Sequence, residues 1–519
     1  MDFDFLVVGG GIAGVSCTEQ LASLAPDSRI ALVSATSLVK SVVNFKQVAT
    51  ILSDFDVVER ESSCLSSQFS NVSTFQARLV ALDPEQHVST MEECLGTEKR
   101  RIAIKYKKLC LCMGAKPKIV FENPHVIGIR DTESVKTFQE KLKKAERILI
   151  VGNGGIATEL AYEIGQCHVV WVIKDSSISH VFFDEATARF FIPALTKKSG
   201  GDSEASGGET RPTKRIKYTL MKYEDPGCDS KGKTILVASK GDQNRRVEIG
   251  NERERGSEDR GAALGPDWSS GLDLAGQLKE HRRNASVETE CEIREILTPE
   301  QYKLTTRAKR QDERLDWPVY ALLTNGKIYG CDFIVSATGV VPASDDLLRY
   351  CKFNVNDDGG ILVDHQMQTS CTDVYAAGDL CAAAWKPAEL WFQMRLWSQA
   401  RQMGAYAAQC MVANMAGDEI PMDFCFELFA HATKYFGYKV VLLGKYNALG
   451  AEHELLFRFT DGEEFVKVVL KNGRMQGAIL VGETDLEETF ENLILNQMDL
   501  SCYGDSLLDP SVDIEDYFD

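Results

Sequence analysis

Phe5-Leu6-Val7-Val8-Gly9-Gly10-Gly11-Ile12-Ala13-Gly14 is matched further along the chain by Ile148-Leu149-Ile150-Val151-Gly152-Asn153-Gly154-Gly155-Ile156-Ala157. Each stretch is a short apolar strand running into a glycine-rich turn and then a predicted helix. In such a turn the first glycine makes the bend and the second lets a pyrophosphate approach bare backbone. The third position must be small so that helix and strand can pack. Gly9, Gly11 and Gly14 meet these demands, and so do Gly152, Gly154 and Ala157. The helix that follows offers free N–H groups and the positive end of its dipole to the phosphates. The pair predicts an α/β chain with two dinucleotide-binding turns, in which Ile12, Ala13 and Ile156 also lie against the bound nucleotides.

About twenty residues beyond such a turn an acidic residue usually holds the nucleotide ribose. Both sites depart from that pattern. The strand Ile30-Ala31-Leu32-Val33 ends in Ser34, a weaker ribose partner than a carboxylate. The strand His168-Val169-Val170-Trp171-Val172-Ile173 ends in Lys174, a cation that tolerates or favours a 2′-phosphate, while neighbouring Asp175 keeps the unphosphorylated ribose in play.

With 519 residues the chain has room for two to four domains. Its charged and apolar fractions predict a soluble globular protein, and a net charge of −18 argues against a general nucleic-acid surface. No apolar run reaches the roughly twenty residues needed to span a bilayer, and Met1-Asp2-Phe3-Asp4 is too acidic for a signal peptide. The 15 cysteines are scattered, which suits a reducing compartment. Cys110-Leu111-Cys112 reads as buried strand filler, and the histidines form no metal-ligand pattern.

Strands ending in small residues recur at Tyr106 to Pro117 and at Gly330 to Pro342, so the chain leaves one nucleotide domain and later returns to it. Asp373-Val374-Tyr375-Ala376-Ala377-Gly378-Asp379 is a strand ending in a Gly-Asp turn before a predicted helix. From about 197 to 284 the composition shifts to Gly, Ser, Glu, Lys and Arg, as in a flexible insertion, with one short strand at Thr234-Ile235-Leu236-Val237-Ala238. Within it, Arg211-Pro212-Thr213-Lys214-Arg215-Ile216-Lys217 resembles a nuclear import signal, although such runs are more often solvated loops. The C-terminal part alternates strand-like runs with the turn Lys471-Asn472-Gly473-Arg474, then a helix over 486–497 and an acidic tail.

Together these motifs resemble the pyridine nucleotide-disulphide oxidoreductases, flavoproteins in which a nicotinamide domain is inserted within an FAD domain. Further segments that carry the resemblance are Asn44-Phe45-Lys46-Gln47, Ala263-Leu264-Gly265-Pro266-Asp267-Trp268, Met394-Arg395-Leu396-Trp397 and the run from Gly482 to Phe490. The resemblance implies two Rossmann-like domains and a C-terminal α+β domain. These are an FAD domain over 1–122 and 343–418, an NAD(P)H domain over 123–342 carrying the 197–284 insertion, and a C-terminal domain over 419–519 with the acidic tail. It implies FAD at the first turn, with Ser34, Gly114 and Asp379 beside it, the Asp379 carboxylate accepting from a ribityl hydroxyl. It implies NAD(P)H at the second, with Lys174 and Gly339 beside it. Lys46 then falls beside flavin N5 and pairs with Glu159, orienting the ring and stabilising its reduced state.

Members that reduce disulphides relay electrons through Cys-x₄-Cys or Cys-x₂-Cys, and neither spacing occurs here. Where single-cysteine members carry their thiol, this chain reads Ser41-Val42-Val43-Asn44-Phe45, with Cys64 the nearest cysteine. His431 is a weak substitute for the thiol acid-base histidine. Three readings stay open: hydride transfer from NAD(P)H to FAD without a thiol relay, a nucleotide-dependent redox sensor or binding protein, and disulphide reduction through unpatterned cysteines. For the members most like this chain, the resemblance also implies protection of a tRNA ligase complex from oxidative inactivation in nucleus and cytoplasm. Neither direct nucleic-acid nor membrane binding is expected, and the oligomeric state stays open.

Overall fold

The computed structural model describes residues 1–94, 100–130, 132–196, 213–223, 233–238, 246–248, 269, 272–279, 284–309, 313–448 and 453–511. The chain divides into two compact units. The first takes in Met1–Lys116 and Val340–His431, and the second Pro117–Leu264, Trp268–Gly339 and Ala432–Asp519. The nicotinamide and C-terminal portions therefore share one unit. Segment Ala263 to Trp268, one of those carrying the resemblance, lies outside the described residues.

In the first unit the strands Val72–Asp83, Ile30–Ser34, Asp2–Val8, Arg101–Leu111 and Val374–Ala376 run side by side and parallel. Strand Val88–Glu93 closes an antiparallel meander between the two longest. Parallel strands covered on both faces read as unbroken apolar runs, and Leu6, Val7, Leu32, Leu109 and Leu111 are all buried in one core. Two helices, Ile12–Leu24 and Trp397–Ala416, pack against each other so closely that a Cβ on Gly404 would lie 2.2 Å from the Ala13 carbonyl oxygen. Gly417, at φ 82°, ends the second of these helices in the left-handed conformation that glycine favours.

The helix expected directly after the Gly-Asp turn begins later than the sequence suggested. Gly378–Leu380 forms one 3₁₀ turn, Cys381–Ala383 then pairs parallel with Ile361–Val363, and the helix starts only at Trp397. Pairing to that short strand carries the chain away before the helix can nucleate.

The second unit holds an all-parallel five-stranded sheet in the order Asn284–Glu288, His168–Val172, Arg147–Val151, Phe333–Ser336 and Val126–Gly128. Beside it in the same unit is an eight-stranded sheet. Five of its strands come from Ala430–Tyr435 through Arg474–Val481, and three from the insertion: Lys214–Tyr223, Lys233–Ala238 and Arg246–Glu248. The predicted Thr234 to Ala238 strand is therefore present. The solvated-loop reading of the basic run is corrected for its described part. Lys214 to Lys217 pair antiparallel with Phe459 to Leu456, and Lys214, Arg215 and Lys217 bind Asp461, Asp509 and Glu454. Composition marked the run as basic but could not show that acids from the C-terminal part would meet it. Apart from residues 269, 272–279 and 284, the rest of the expected flexible insertion lies outside the described residues, as does the end of the acidic tail.

The hairpin read from Lys471-Asn472-Gly473-Arg474 forms with left-handed Asn472 and Gly473, at φ 51° and 72°, and Lys471 pairs with Arg474. That is the two-residue turn whose twist matches its strands. Lys467 of this sheet is fully buried and paired with Asp184, which caps the Glu185–Phe191 helix. Burial pushes the Asp184 carboxyl up, but Lys467 and Thr187 outweigh it and hold it below the ordinary value.

Candidate dinucleotide sites

The first turn is shaped by backbone. A Cβ on Gly9, at φ 127°, would sit 2.1 Å from the Cys112 carbonyl oxygen, and one on Gly14 would sit 1.9 Å from the Gly9 carbonyl oxygen. Gly11 is different: nothing lies within 4 Å of the position a Cβ would take. Two glycines are therefore required by the fold, and the third leaves the approach open at the helix start. No side chain caps the Ile12–Leu24 helix at Gly11, so its first N–H groups are left for a ligand. These features fit a pyrophosphate.

Ser34 is buried beneath this turn. Its Oγ accepts from the Thr36 N–H at 3.4 Å and would lie 2.5 Å from a Cβ on Gly10. Ile12 and Ala13 form the first turn of the helix. Gly114 takes φ 69° with open space where a side chain would stand. Asp379 is buried in its 3₁₀ turn, and a Cβ on Gly378 would press to 2.8 Å from that of Ala13, so the Gly-Asp turn lies against the same helix start.

The sequence reading assigned no role to Arg395. This side chain is 3% exposed, donates from Nε to the Asp379 carbonyl at 3.2 Å, and forms a buried ion pair with Asp358. It fixes the peptide of the Gly-Asp aspartate. Its only sequence signal was its place in Met394-Arg395-Leu396-Trp397.

Lys46 is exposed on the strand Leu38–Gln47. The pairing with Ser53–Glu61 slips between Val43 and Lys46, where Asn44 takes φ 51° and donates to Asp56 at 2.7 Å. A bulge of this kind re-aims the side chains that follow it and is common beside functional sites. Phe45, next to Lys46, lies under the Arg401 guanidinium at 4.2 Å.

The second turn is shaped by a side chain. Gly152 repeats the backbone demand, since a Cβ at its φ of 123° would lie 2.2 Å from the Ala337 carbonyl oxygen. Asn153, buried at the next position, donates to Asp175 Oδ2 at 2.7 Å and to the Ser177 carbonyl at 2.8 Å, and accepts from the Ser179 N–H at 2.5 Å. Trp171 donates to the Gly152 carbonyl at 2.7 Å, and Thr158 and Ser179 share a 2.8 Å hydrogen bond. Gly154 caps the Gly155–Glu163 helix without a side-chain bond, leaving donors for a phosphate, and Ile156 and Ala157 are buried in its first turn. Lys174 is exposed, whereas the Asp175 carboxylate is tied to the turn itself. The sequence reading placed Lys174 at the nucleotide site, with Asp175 keeping the unphosphorylated ribose in play, and had no signal for the role of Asn153. Gly339, at φ 105°, has open space on its Cβ side, and its carbonyl accepts from the Lys118 N–H at 2.9 Å. Glu159 is a buried carboxylate of the same helix, 6% exposed. Lys46 lies in the first unit and Glu159 in the second.

Among the described residues no cysteines are joined in a disulphide. Cys110 and Cys112 share a strand face with their sulfurs 3.5 Å apart. Both are fully interior, and the net effect of their neighbouring thiols and burial is to raise them well above the ordinary thiol range. Such thiols are poor nucleophiles.

The family model described as pyridine nucleotide-disulphide oxidoreductase matches residues 3–200 and 278–404. Over 99% of its length the chain is 51% identical to the mouse protein named pyridine nucleotide-disulfide oxidoreductase domain-containing protein 1, covering 98% of that relative. It is 50% identical to the human protein of that name and 44% identical to that of Drosophila melanogaster, each over 99% of this chain and over 98% and 99% of the relative. Among solved structures, a ferredoxin reductase from Rhodopseudomonas palustris is similar with a TM-score of 0.62 at 16% identity, covering 99% of each chain. The water-forming NADH oxidase of Lactobacillus brevis, bound to NADH, is similar with a TM-score of 0.60 at 15% identity, covering 98% of this chain and 95% of that one.

Proposed function

The chain belongs to the pyridine nucleotide-disulphide oxidoreductase family, an FAD-dependent NAD(P)H oxidoreductase fold, and we propose that it transfers hydride from NAD(P)H to FAD without a thiol relay. The observation that carries this reading is the pair of turns, each with glycines the backbone requires and an uncapped helix start. Bound FAD supplies a two-electron acceptor that can pass electrons on singly or in pairs.

The protein's own groups bind and orient. The first-turn N–H groups after Gly11 hold one pyrophosphate and those after Gly154 the other. Arg395 holds the Asp379 peptide so that its carboxylate meets the ribityl chain, and Ser34 lies where the ribose of FAD is expected. By the sequence resemblance Lys46 would stand beside flavin N5, where its ammonium would favour the electron-rich reduced state. The absence of a thiol relay is supported by the missing cysteine spacings and by the interior, protonated state of Cys110 and Cys112.

Anaerobic stopped-flow absorbance tests the proposal: NADH or NADPH is expected to bleach the flavin. A flavin that both leave oxidised overturns it. Replacing Cys64, Cys110 and Cys112 by serine is expected to leave that bleaching and the subsequent reoxidation unchanged.

Protection of a tRNA ligase complex in nucleus and cytoplasm rests on the sequence resemblance. Capture of that complex from cell extract only when NAD(P)H is present, with slow turnover, supports a sensor role. Rapid multiple turnover without capture supports an ordinary reductase.

A further inference from the structure

The Asn472-Gly473 hairpin has a counterpart in the same eight-stranded sheet. Strands Ala430–Tyr435 and Tyr438–Gly444 are neighbours there, and the two residues between them are Phe436 and Gly437. Both loops take positive φ at both positions, 51° and 72° at Asn472 and Gly473, and 53° and 80° at Phe436 and Gly437. Asparagine and glycine suit that turn. Phenylalanine does not, because a bulky side chain in the left-handed region crowds its own backbone. Such strain persists only where the surroundings hold the residue in place.

Those surroundings lie in the nicotinamide portion of the same unit. Phe436 is 4% exposed. Its ring stacks on Phe191 at 5.0 Å and 27°, and meets Tyr162 edge-on at 5.4 Å and 77°. A Cβ on Gly437 would lie 2.8 Å from the Tyr162 hydroxyl oxygen, so two successive residues of the hairpin tip press on that side chain. Tyr435, just before the tip, packs its ring against Phe182 at 5.5 Å and Phe183 at 5.6 Å. Phe183 in turn meets Phe191 at 4.9 Å.

Tyr162, Phe182 and Phe183 belong to segments that shape the second glycine turn. Tyr162 lies in the last turn of the Gly155–Glu163 helix, whose uncapped start is the phosphate end. The N–H groups of Phe182 and Phe183 both donate to the Ser179 carbonyl at 2.9 Å, and the Ser179 N–H is the one held by Asn153. The helix has only nine residues, and a helix this short owes its stability to packing rather than to its own hydrogen bonds. The bond between Thr158 and Ser179 fixes its beginning. The Tyr162 ring against Phe436 fixes its far end.

We propose that Phe436 is a positioning residue for the nicotinamide nucleotide: the strained hairpin tip of the C-terminal sheet braces the Gly155–Glu163 helix and the Ser179 loop, and so holds the second turn in its binding geometry. This inference rests on the reading that NAD(P)H occupies that turn. It extends that reading by giving the C-terminal portion of the chain a share in nucleotide affinity. Loss of the ring frees the far end of the helix, while the strand pairing and the two-residue turn remain.

The test is the Kd for NADH of the full-length protein, read by nucleotide fluorescence, beside its urea midpoint. Phe436→Asn gives the turn a residue it prefers, so the variant is expected to fold with a midpoint near the wild-type value. Its Kd for NADH is expected to rise by about tenfold. Phe436→Tyr keeps the ring and is expected to retain the wild-type Kd. Tyr162→Leu removes the other half of the contact and is expected to raise the Kd as well, and the double variant to raise it no further than the larger single change. An unchanged Kd in Phe436→Asn overturns the proposal whether or not the midpoint falls, because it leaves the ring a packing role alone. A wild-type protein that binds no NADH defeats instead the reading of the second turn beneath it.

Discussion

The two glycine turns look alike in sequence and are built differently. In the first, the middle position is Gly10, where any side chain would meet Ser34 Oγ at 2.5 Å, and Gly14 touches the backbone of Gly9. In the second, the middle position is Asn153, whose amide ties together Asp175, Ser177 and Ser179, and the third position accepts the methyl group of Ala157. A turn closed by backbone contacts cannot relax without unfolding its sheet. A turn closed by one side chain can exchange hydrogen bonds with a ligand as it comes and goes. The first suits a resident flavin and the second an exchanging nicotinamide nucleotide.

The strongest way to break this comparison is Gly14→Val. A Cβ 1.9 Å from the Gly9 carbonyl oxygen forces strand and helix apart, and overpacking of this kind costs about 3 kcal/mol or more. The expected outcome is loss of bound FAD and a fall in the urea midpoint. Ala157→Gly, at the matching place in the second turn, is expected to cost only about 0.5–1 kcal/mol through helix entropy. Equal effects at the two positions would show that the turns are equivalent.

Next in size is Arg395→Leu. It takes the guanidinium away from the Asp358 carboxylate and releases the Asp379 peptide, and removing one member of a buried pair costs about 3–5 kcal/mol. Flavin retention after gel filtration is expected to fall, while NADH binding, read by nucleotide fluorescence, stays near the wild-type value. A variant that keeps its flavin would remove Arg395 from the first site.

Much of this architecture was legible because its causes are local. Both turns, the Asn472-Gly473 hairpin and the buried parallel strands announce themselves through glycine spacing and apolar runs, which depend on neighbours in sequence. What stayed hidden depends on distant partners. Arg395 meets Asp358 across 37 residues and Lys214 meets Asp461 across 247, and a single sequence does not reveal which charges will pair. Asn153 was hidden for another reason. The variable position of a Gly-x-Gly turn is expected to face outward, so nothing marked its amide as a hub. The late start of the Trp397 helix escaped for the same cause as the ion pairs, since the short strand that delays it pairs with Ile361–Val363.

The second turn is sharpened by Asn153→Ala. The substitution leaves the Ser179 N–H without its acceptor and frees the Asp175 carboxylate, at a cost of about 1–3 kcal/mol. If the side chain is what closes this turn, most of that cost should appear as a higher Kd for NADH, with FAD content unchanged.

The smallest effect concerns which nicotinamide nucleotide is used, and it separates the two neighbours at the end of the second strand. Asp175 is held against the turn by Asn153, whereas Lys174 is exposed beside it. A carboxylate in that place accepts from a ribose hydroxyl and repels a 2′-phosphate, so the wild-type protein is expected to favour NADH. Asp175→Ser removes the repulsion and leaves Lys174 to attract the phosphate. The ratio of kcat/KM for NADPH over NADH should then rise by about tenfold or more, which corresponds to about 1.4 kcal/mol. Lys174→Ala should move the ratio the opposite way by a smaller factor, because an exposed cation is screened by solvent and salt. If Lys174→Ala instead produces the larger change, the ribose is read by the exposed residue, and the clamp between Asn153 and Asp175 serves only to shape the turn.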